Sequence, residues 1–363
     1  MKILIVFSSN DIGGAEKSLT RMCHFSIMNF GSNFTLASIG GKGEWSSWVK
    51  SLNIDCITTE PGRSSIKDMI CIAKYIKKSN FDIIYTIGLR LSLFVRFLKF
   101  ILKMKYVLIH GIRWVPSNNT KLDITTRFIE KWFNNLIDGY IVNSKATQKI
   151  LEQKCVINSS KIFTIYNGLE KTKKNEDPKG IKRILTIANL SPRKGYIEYL
   201  SVIKKVIEKH PNVKFVFIGT DNMKGKVFDE IKKNDLSNNI EYLGFVNDIK
   251  EELMKSYLFV LPSLHSEGCP TSIMEAMSYS LPCIAYDICG NNELIVNGKT
   301  GYLVENKNSH MLASQICNLI EKKYLRDKMA KESELRIKKY FSLEDCAVNH
   351  IKTFNSLITK KAF

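Results

Sequence analysis

The strongest constraint in this chain is its alternation of short, continuously apolar runs with longer amphipathic ones. Lys2 to Ser8 reads KILIVFS, and Phe34 to Ile39, Ile54 to Thr58, Ile83 to Thr86, Tyr106 to Ile109 and Gly139 to Val142 repeat the theme. Such runs suit strands buried on both faces, and helical patterns lie between most of them. The rhythm returns at Arg183 to Ala188, VKFVFIGT, IEYLGFV, Tyr257 to Leu261 and PCIAY. Alternating strands and helices build doubly wound parallel sheets, whose ligands gather beyond the C-terminal strand ends. At 363 residues the chain has room for two such domains. Residues 171–180, KTKKNEDPKG, carry charge, a Pro and a Gly but no apolar pattern, so they read as a linker. The domains expected are therefore 1–170 and 181–342. Ser309 to Phe363 has a helical pattern, and Ser342 is placed to cap a last helix over about 343–363.

Composition narrows the partners. The net charge of +19 favours something anionic: nucleic acid, an acidic membrane or a phosphorylated substrate. No zinc-finger, RRM or KH signature accompanies it, which argues against nucleic acid. The nine cysteines are odd in number and scattered, with no Cys-x-x-Cys pair, and the six histidines show no paired-ligand spacing. Reduced thiols in a cytoplasmic protein, with no disulfide framework and no metal site, are expected. MKILIVFSSN is too short in its apolar run for a signal peptide, and no stretch is long enough to span a bilayer.

Two segments mix cations with large apolar residues: GLRLSLFVRFLKFILKMK, 88–105, and TTRFIEKWFNNLI, 125–137. Arg96, Lys99 and Lys103 recur at helical spacing. A face of this kind suits peripheral attachment to an anionic bilayer, here the cytoplasmic face of the plasma membrane. The bland alternative turns Phe94, Phe97, Leu98 and Ile101 into the core and leaves the cations solvated.

The stretch Leu261 to Met277, LPSLHSEGCPTSIMEAM, carries chemistry. Pro262 and Ser263 stop a strand, Gly268 and Pro270 shape a turn, and a helix starts near Thr271. Glu267 stands on the loop. Glu275 lies just over one turn into the helix, about 6 Å along its axis. Both carboxylates can face one crevice, into which the free N–H groups of the first turn point. A helix N-terminus favours phosphate, and carboxylates accept from hydroxyls. A ligand with phosphate at its centre and hydroxyls at both ends is a nucleotide sugar. At the other end of the chain, Gly13-Gly14 turns into a helix from about Ala15, without the GxGxxG spacing that would indicate a dinucleotide.

A Glu, seven residues and a second Glu, set in SEGCPTSIMEAM, resembles the donor-site signature of the retaining glycosyltransferases of family 4, with the GT-B fold. The resemblance covers nearly the whole chain and is most specific from about Ile184 to Val304. GGAEKSL, with Glu16, resembles the family's N-terminal loop, His110-Gly111 its active-site histidine, and YNG at 166–168 the end of its first domain. Gly244-Phe245 and Glu293 also match family positions. The fold implied is α/β, with two Rossmann-like doubly wound domains facing a central cleft and the last helix packed back on the first domain. The resemblance assigns catalytic roles to His110, Lys194 and Glu267. It assigns donor contacts to Gly14, Asn189, Arg193, Lys194, Gly268, Cys269, Pro270, Thr271 and Glu275. One position departs from the pattern. The family's loop has an Arg five residues before Lys-Gly, and here Asn189 stands there, with Arg193 as candidate replacement.

The activity implied is transfer of a hexose or N-acetylhexosamine, with retention, from a UDP-sugar to a lipid-linked or polysaccharide acceptor. Bacterial cell-surface glycans such as lipopolysaccharide or capsule are the setting implied. No cofactor or metal is expected: Lys194, Arg193 and the helix-start amides meet the charge on the leaving diphosphate. Two alternatives remain open, a GT-B nucleotide-sugar epimerase and a non-catalytic sugar-nucleotide or membrane-binding subunit.

Overall fold

The apolar runs form the inner strands of two parallel sheets. The computed structural model describes residues 1–40, 44–59, 66–116, 120–170, 172 and 180–362. The chain divides into Met1–Gly168 with Leu343–Phe363, called unit 1, and Leu169–Ser342, called unit 2. The expected linker at 171–180 lies almost wholly outside the described residues.

Unit 1 runs β1 (Lys2–Phe7), α1 (Gly14–Phe30), β2 (Asn33–Ser38), α2 (Glu44–Ser51), β3 (Asp55–Thr58), α3 (Ile66–Lys78), β4 (Ile83–Ile87) and α4 (Leu89–Ile101). It continues with β5 (Val107–Ile112), α5 (Lys121–Phe133), β6 (Gly139–Val142), α6 (Lys145–Lys154) and β7 (Ile162–Thr164). The strand order is β3-β2-β1-β4-β5-β6-β7. Ile3, Ile5 and Phe7 pack with Leu19 and Met22 of α1, while Leu4 and Val6 pack with Ile72, Leu91 and Val95 on the other face. Helices cover both faces, so these strands carry no polar alternation.

Unit 2 runs β8 (Arg183–Ile187), α7 (Tyr196–Lys209), β9 (Lys214–Ile218), α8 (Lys226–Lys233), β10 (Ile240–Tyr242) and α9 (Lys250–Met254). Next come β11 (Leu258–Leu261), α10 (Thr271–Ser278), β12 (Cys283–Tyr286), α11 (Asn291–Leu294), β13 (Gly301–Val304), α12 (Ser309–Glu321) and α13 (Lys323–Tyr340). The order β10-β9-β8-β11-β12-β13 puts a topological switch point between β8 and β11. Gly301–Val304 pairs parallel with β12. The last helix, α14 (Leu343–Ala362), belongs to unit 1, where Phe354 and Leu357 join the cluster of Ile3, Ile5 and Phe7.

Unit 1 buries an ionic network between α4, β5, α5 and β6. Arg96 Nη2 donates to both oxygens of Glu130 at 2.7 and 2.8 Å. Nδ1 of His110 lies 2.9 Å from Glu130, and the Tyr140 hydroxyl donates to Glu130 at 2.7 Å. All four side chains are fully buried. Burial alone would raise the Glu130 carboxyl, but His110 and then Arg96 outweigh it and hold it at about 2. Burial also lowers His110.

One expectation falls here: Arg96 is no part of a surface, because a guanidinium at that depth needs its carboxylate. His110 lies within β5 with its side chain turned to α4 and α5.

Glu130→Gln leaves Arg96 buried without its counter-charge, so it should cost about 3–5 kcal/mol in urea unfolding at neutral pH. The unfolded chain, with this carboxyl at its ordinary 4.5, takes up the proton first. Native stability therefore falls as pH drops from 4.5 towards 2, and the variant should flatten that slope.

Candidate active site

Two loops meet at the C-terminal ends of β8 and β11, the neighbouring strands of the unit 2 switch point. The first, Asn189 to Gly195, closes with a single 3-10 turn, Pro192–Lys194. Gly195 then takes φ 70° and opens α7. A Cβ there would lie 2.3 Å from the Pro262 carbonyl oxygen, so only glycine fits. The second loop follows β11 from Pro262 to Pro270. Its Leu264 N–H donates to the Arg193 carbonyl at 2.9 Å, which stitches the loops together. Asn306 donates to the Leu264 carbonyl at 3.1 Å.

The far end of the second loop is braced from the turn between β12 and α11. Gly290 N–H donates to the Glu267 carbonyl at 3.0 Å, and a Cβ at Gly290 would lie 1.3 Å from the Gly268 carbonyl oxygen. Ser266 adopts φ 63°, an unusual conformation for a non-glycine residue that turns the chain immediately before Glu267.

This framework brings Lys194, Arg193 and Glu267 together. Lys194 Nζ donates to Glu267 Oε1 at 2.6 Å, and Arg193 Nη1 to the same oxygen at 3.2 Å. Glu267 is buried and Arg193 partly exposed. Burial alone would raise the Glu267 carboxyl, yet Lys194 and then Arg193 hold it below the usual carboxylate range. Burial draws the Lys194 ammonium down, against the opposing pull of Glu267.

Gly268, Cys269 and Pro270 complete the loop, and Pro270 caps α10 from an extended conformation. Thr271 is the first residue of that helix, whose first-turn amides have no partner four residues back. Glu275 sits one turn in, on the same buried helix. Asn189 serves as a brace: its Oδ1 accepts from Thr220 N–H at 3.1 Å, tying the first loop to the end of β9. Glu293 lies in α11, and its carbonyl accepts from Arg336 at 2.7 Å. Among the described residues no group of three His, Cys, Asp or Glu side chains is arranged to hold a metal ion.

Unit 1 has its own polar cluster at the strand ends. Gly14 begins α1, and two residues on, burial pushes the Glu16 carboxyl up to about 7, against hydrogen bonds from backbone amides. Asn167 accepts from Ser18 at 2.9 Å and from Arg113 at 3.1 Å. Sequence reading missed Arg113 and the role of Asn167. Their partners lie 54 and 149 residues apart in the chain, so no local spacing announces them.

The surface expected from Arg96, Lys99 and Lys103 dissolves as a set. Arg96 is buried, Lys99 is paired with Asp138, and Lys103 lies beyond the end of α4 at φ 47°.

Gly290→Ala should cost about 3 kcal/mol or more, because the added methyl meets backbone that has no room to move. Thermal unfolding measures that loss, and nucleotide titration should show weakened binding in the same variant.

Residues 169–336 match a family model described as Glycosyl transferases group 1, and residues 46–173 match Glycosyltransferase Family 4. The chain is 28% identical over 267 residues to the UDP-Gal:alpha-D-GlcNAc-diphosphoundecaprenol alpha-1,3-galactosyltransferase of Escherichia coli, covering 67% of this chain and 68% of that protein. It is 28% identical over 224 residues to the poly(ribitol-phosphate) alpha-N-acetylglucosaminyltransferase of Staphylococcus aureus strain COL, covering 61% of this chain and 45% of that one. Among solved structures, Anabaena HepE in complex with UDP and glucose gives a TM-score of 0.85 at 20% identity, covering 98% of this chain and 100% of that chain. A Staphylococcus aureus TarM complex containing UDP gives 0.81 at 17% identity, over 98% and 100%. These two structural likenesses show the fold.

Proposed function

Because the chain belongs to the family 4, group 1 glycosyltransferases with the GT-B fold, we propose that its donor is a UDP-hexose or UDP-N-acetylhexosamine and its acceptor a lipid-linked or polymeric hydroxyl, with the anomeric configuration retained. The observation that carries this reading is the Lys194–Glu267–Arg193 cluster beside the start of α10.

In the transfer, the bond between the anomeric carbon and the diphosphate oxygen breaks, and negative charge grows on the leaving group. Lys194, Arg193 and the α10 first-turn amides meet that charge. Glu275 accepts from the ribose hydroxyls and Glu267 from hydroxyls of the sugar. The acceptor oxygen bonds to the anomeric carbon on the face the diphosphate vacates. Its proton passes to the departing phosphate oxygen, so atoms and charge balance without a protein nucleophile.

The UDP assignment draws support from HepE, whose complexes hold UDP and UDP-glucose, and from the UDP-Gal-dependent Escherichia coli relative. The acceptor class draws on the diphosphoundecaprenol and poly(ribitol-phosphate) of the two relatives, which also suit a place at the cytoplasmic face of a membrane in surface-glycan synthesis. No helix of the described residues is long and apolar enough to cross a membrane.

Glu275→Ala should weaken UDP binding by about 1–3 kcal/mol, the cost of leaving hydroxyls unpaired. Glu267→Ala should mainly lower kcat. Calorimetry and steady-state rates with UDP-sugars separate the two effects, and unchanged values in both variants would remove the assignment. Turnover should persist in EDTA, whereas complete loss restored by magnesium or manganese would mean that the leaving group is stabilised differently.

A further inference from the structure

Helices α4 and α5 of unit 1 lie side by side, joined by the Arg96–Glu130 pair and by edge-to-face contact of Phe97 with Phe133 at 5.6 Å. Their outer sides carry large apolar groups in water. Phe100 is 67% exposed, Ile101 69%, Ile124 53%, Phe128 60% and Trp132 64%. Ile124, Phe128 and Trp132 follow one another at four-residue intervals and form a stripe along α5. Leu102 extends the apolar end of α4 and is also exposed.

The exposed charges on and just beyond these helices are cationic, and the nearby Asp138 is already paired with Lys99 and Lys361. Lys103, Lys105, Lys121 and Lys131 are exposed. Helix α4 has no acidic residue, and the two in α5, Asp123 and Glu130, are buried. Folding therefore takes the acids inward and leaves a cationic border around exposed aromatic and aliphatic side chains.

We infer that this α4–α5 face docks on an anionic lipid bilayer, with Phe128 and Trp132 seated at the headgroup level and the lysines meeting lipid phosphates. Charge complementarity selects that occupant. A second copy placed face to face would bring like charges together. A nucleic acid would use the lysines but not the aliphatic groups. The purpose of such docking, reaching a lipid-borne acceptor, rests on the function proposed above; the surface does not.

The test is flotation of the full chain with vesicles of phosphatidylcholine alone and of phosphatidylcholine mixed with phosphatidylglycerol. Binding should require phosphatidylglycerol and weaken as salt rises, since screening acts within about 8 Å at physiological ionic strength. The triple variant Lys103→Glu, Lys121→Glu, Lys131→Glu should bind about a hundredfold more weakly, as each near-surface lysine contributes about a factor of five. Phe128→Ser with Trp132→Ser should lose binding while keeping the circular dichroism of the parent. Bromine-labelled lipid should quench tryptophan fluorescence in the parent but much less in Trp132→Phe. Charge reversal at Lys226 and Lys232, exposed residues of α8 in unit 2, should leave binding intact.

Equal loss in the α8 variant would mean that total charge, not this face, holds the vesicle, and would overturn the inference. Vesicles ignored at low salt would overturn it too, as would a dimer that the Phe128, Trp132 double variant dissolves without any lipid binding. Calorimetry with UDP on the same variants keeps the two readings apart. Intact UDP binding with failed flotation removes the membrane face alone, and failed UDP binding in the parent removes the transferase donor assignment alone.

Discussion

A carboxylate that burial would neutralise stays charged in unit 2 because two cations reach it. Lys194 and Arg193 share one oxygen of Glu267, and the surrounding backbone holds that meeting in place. The loops cannot drift apart without leaving a charge in a poorly solvated place, which is costly once its partner is gone. Gly195 and Gly290 set the separation, each where another backbone leaves no room for a side chain. The same cations and carboxylate are then available to a ligand that presents phosphate to one and hydroxyls to the other.

Unit 1 contains a comparable ion pair used differently. Arg96 and Glu130 have no contact with solvent, and His110 and Tyr140 take up the remaining hydrogen bonds of the carboxylate. Such a network fixes the positions of α4 and α5 against the sheet. The pair in unit 2 lies at the strand ends with Arg193 partly exposed, so its partners can be exchanged. Depth decides between scaffold and site more than residue type does.

Much of the fold was legible because a strand covered on both faces must be apolar along its length, and that pattern survives in a single sequence. The helix start at Thr271 was readable from Gly268 and Pro270 for a similarly local reason. Arg96 was misread because helical spacing shows that residues share a face without telling which face turns inward. Its partner Glu130 is 34 residues away, and only packing brings them together. Strand β5 runs past His110 to Ile112, further than the apolar run ending at Ile109 indicates. Arg113 carried no local signal, and Asn167 was visible only as part of YNG, without its partners Ser18 and Arg113.

The assignment of α14 to unit 1 has a consequence for synthesis. The cluster around Ile3, Ile5 and Phe7 is completed by Phe354 and Leu357, which are made only after unit 2. All of unit 2 is made in between. At ordinary elongation rates that leaves the apolar side of β1, β4 and β5 uncovered for about ten to forty seconds. The nascent first unit must remain soluble with an open core, and its closure waits on a helix encoded more than three hundred residues later.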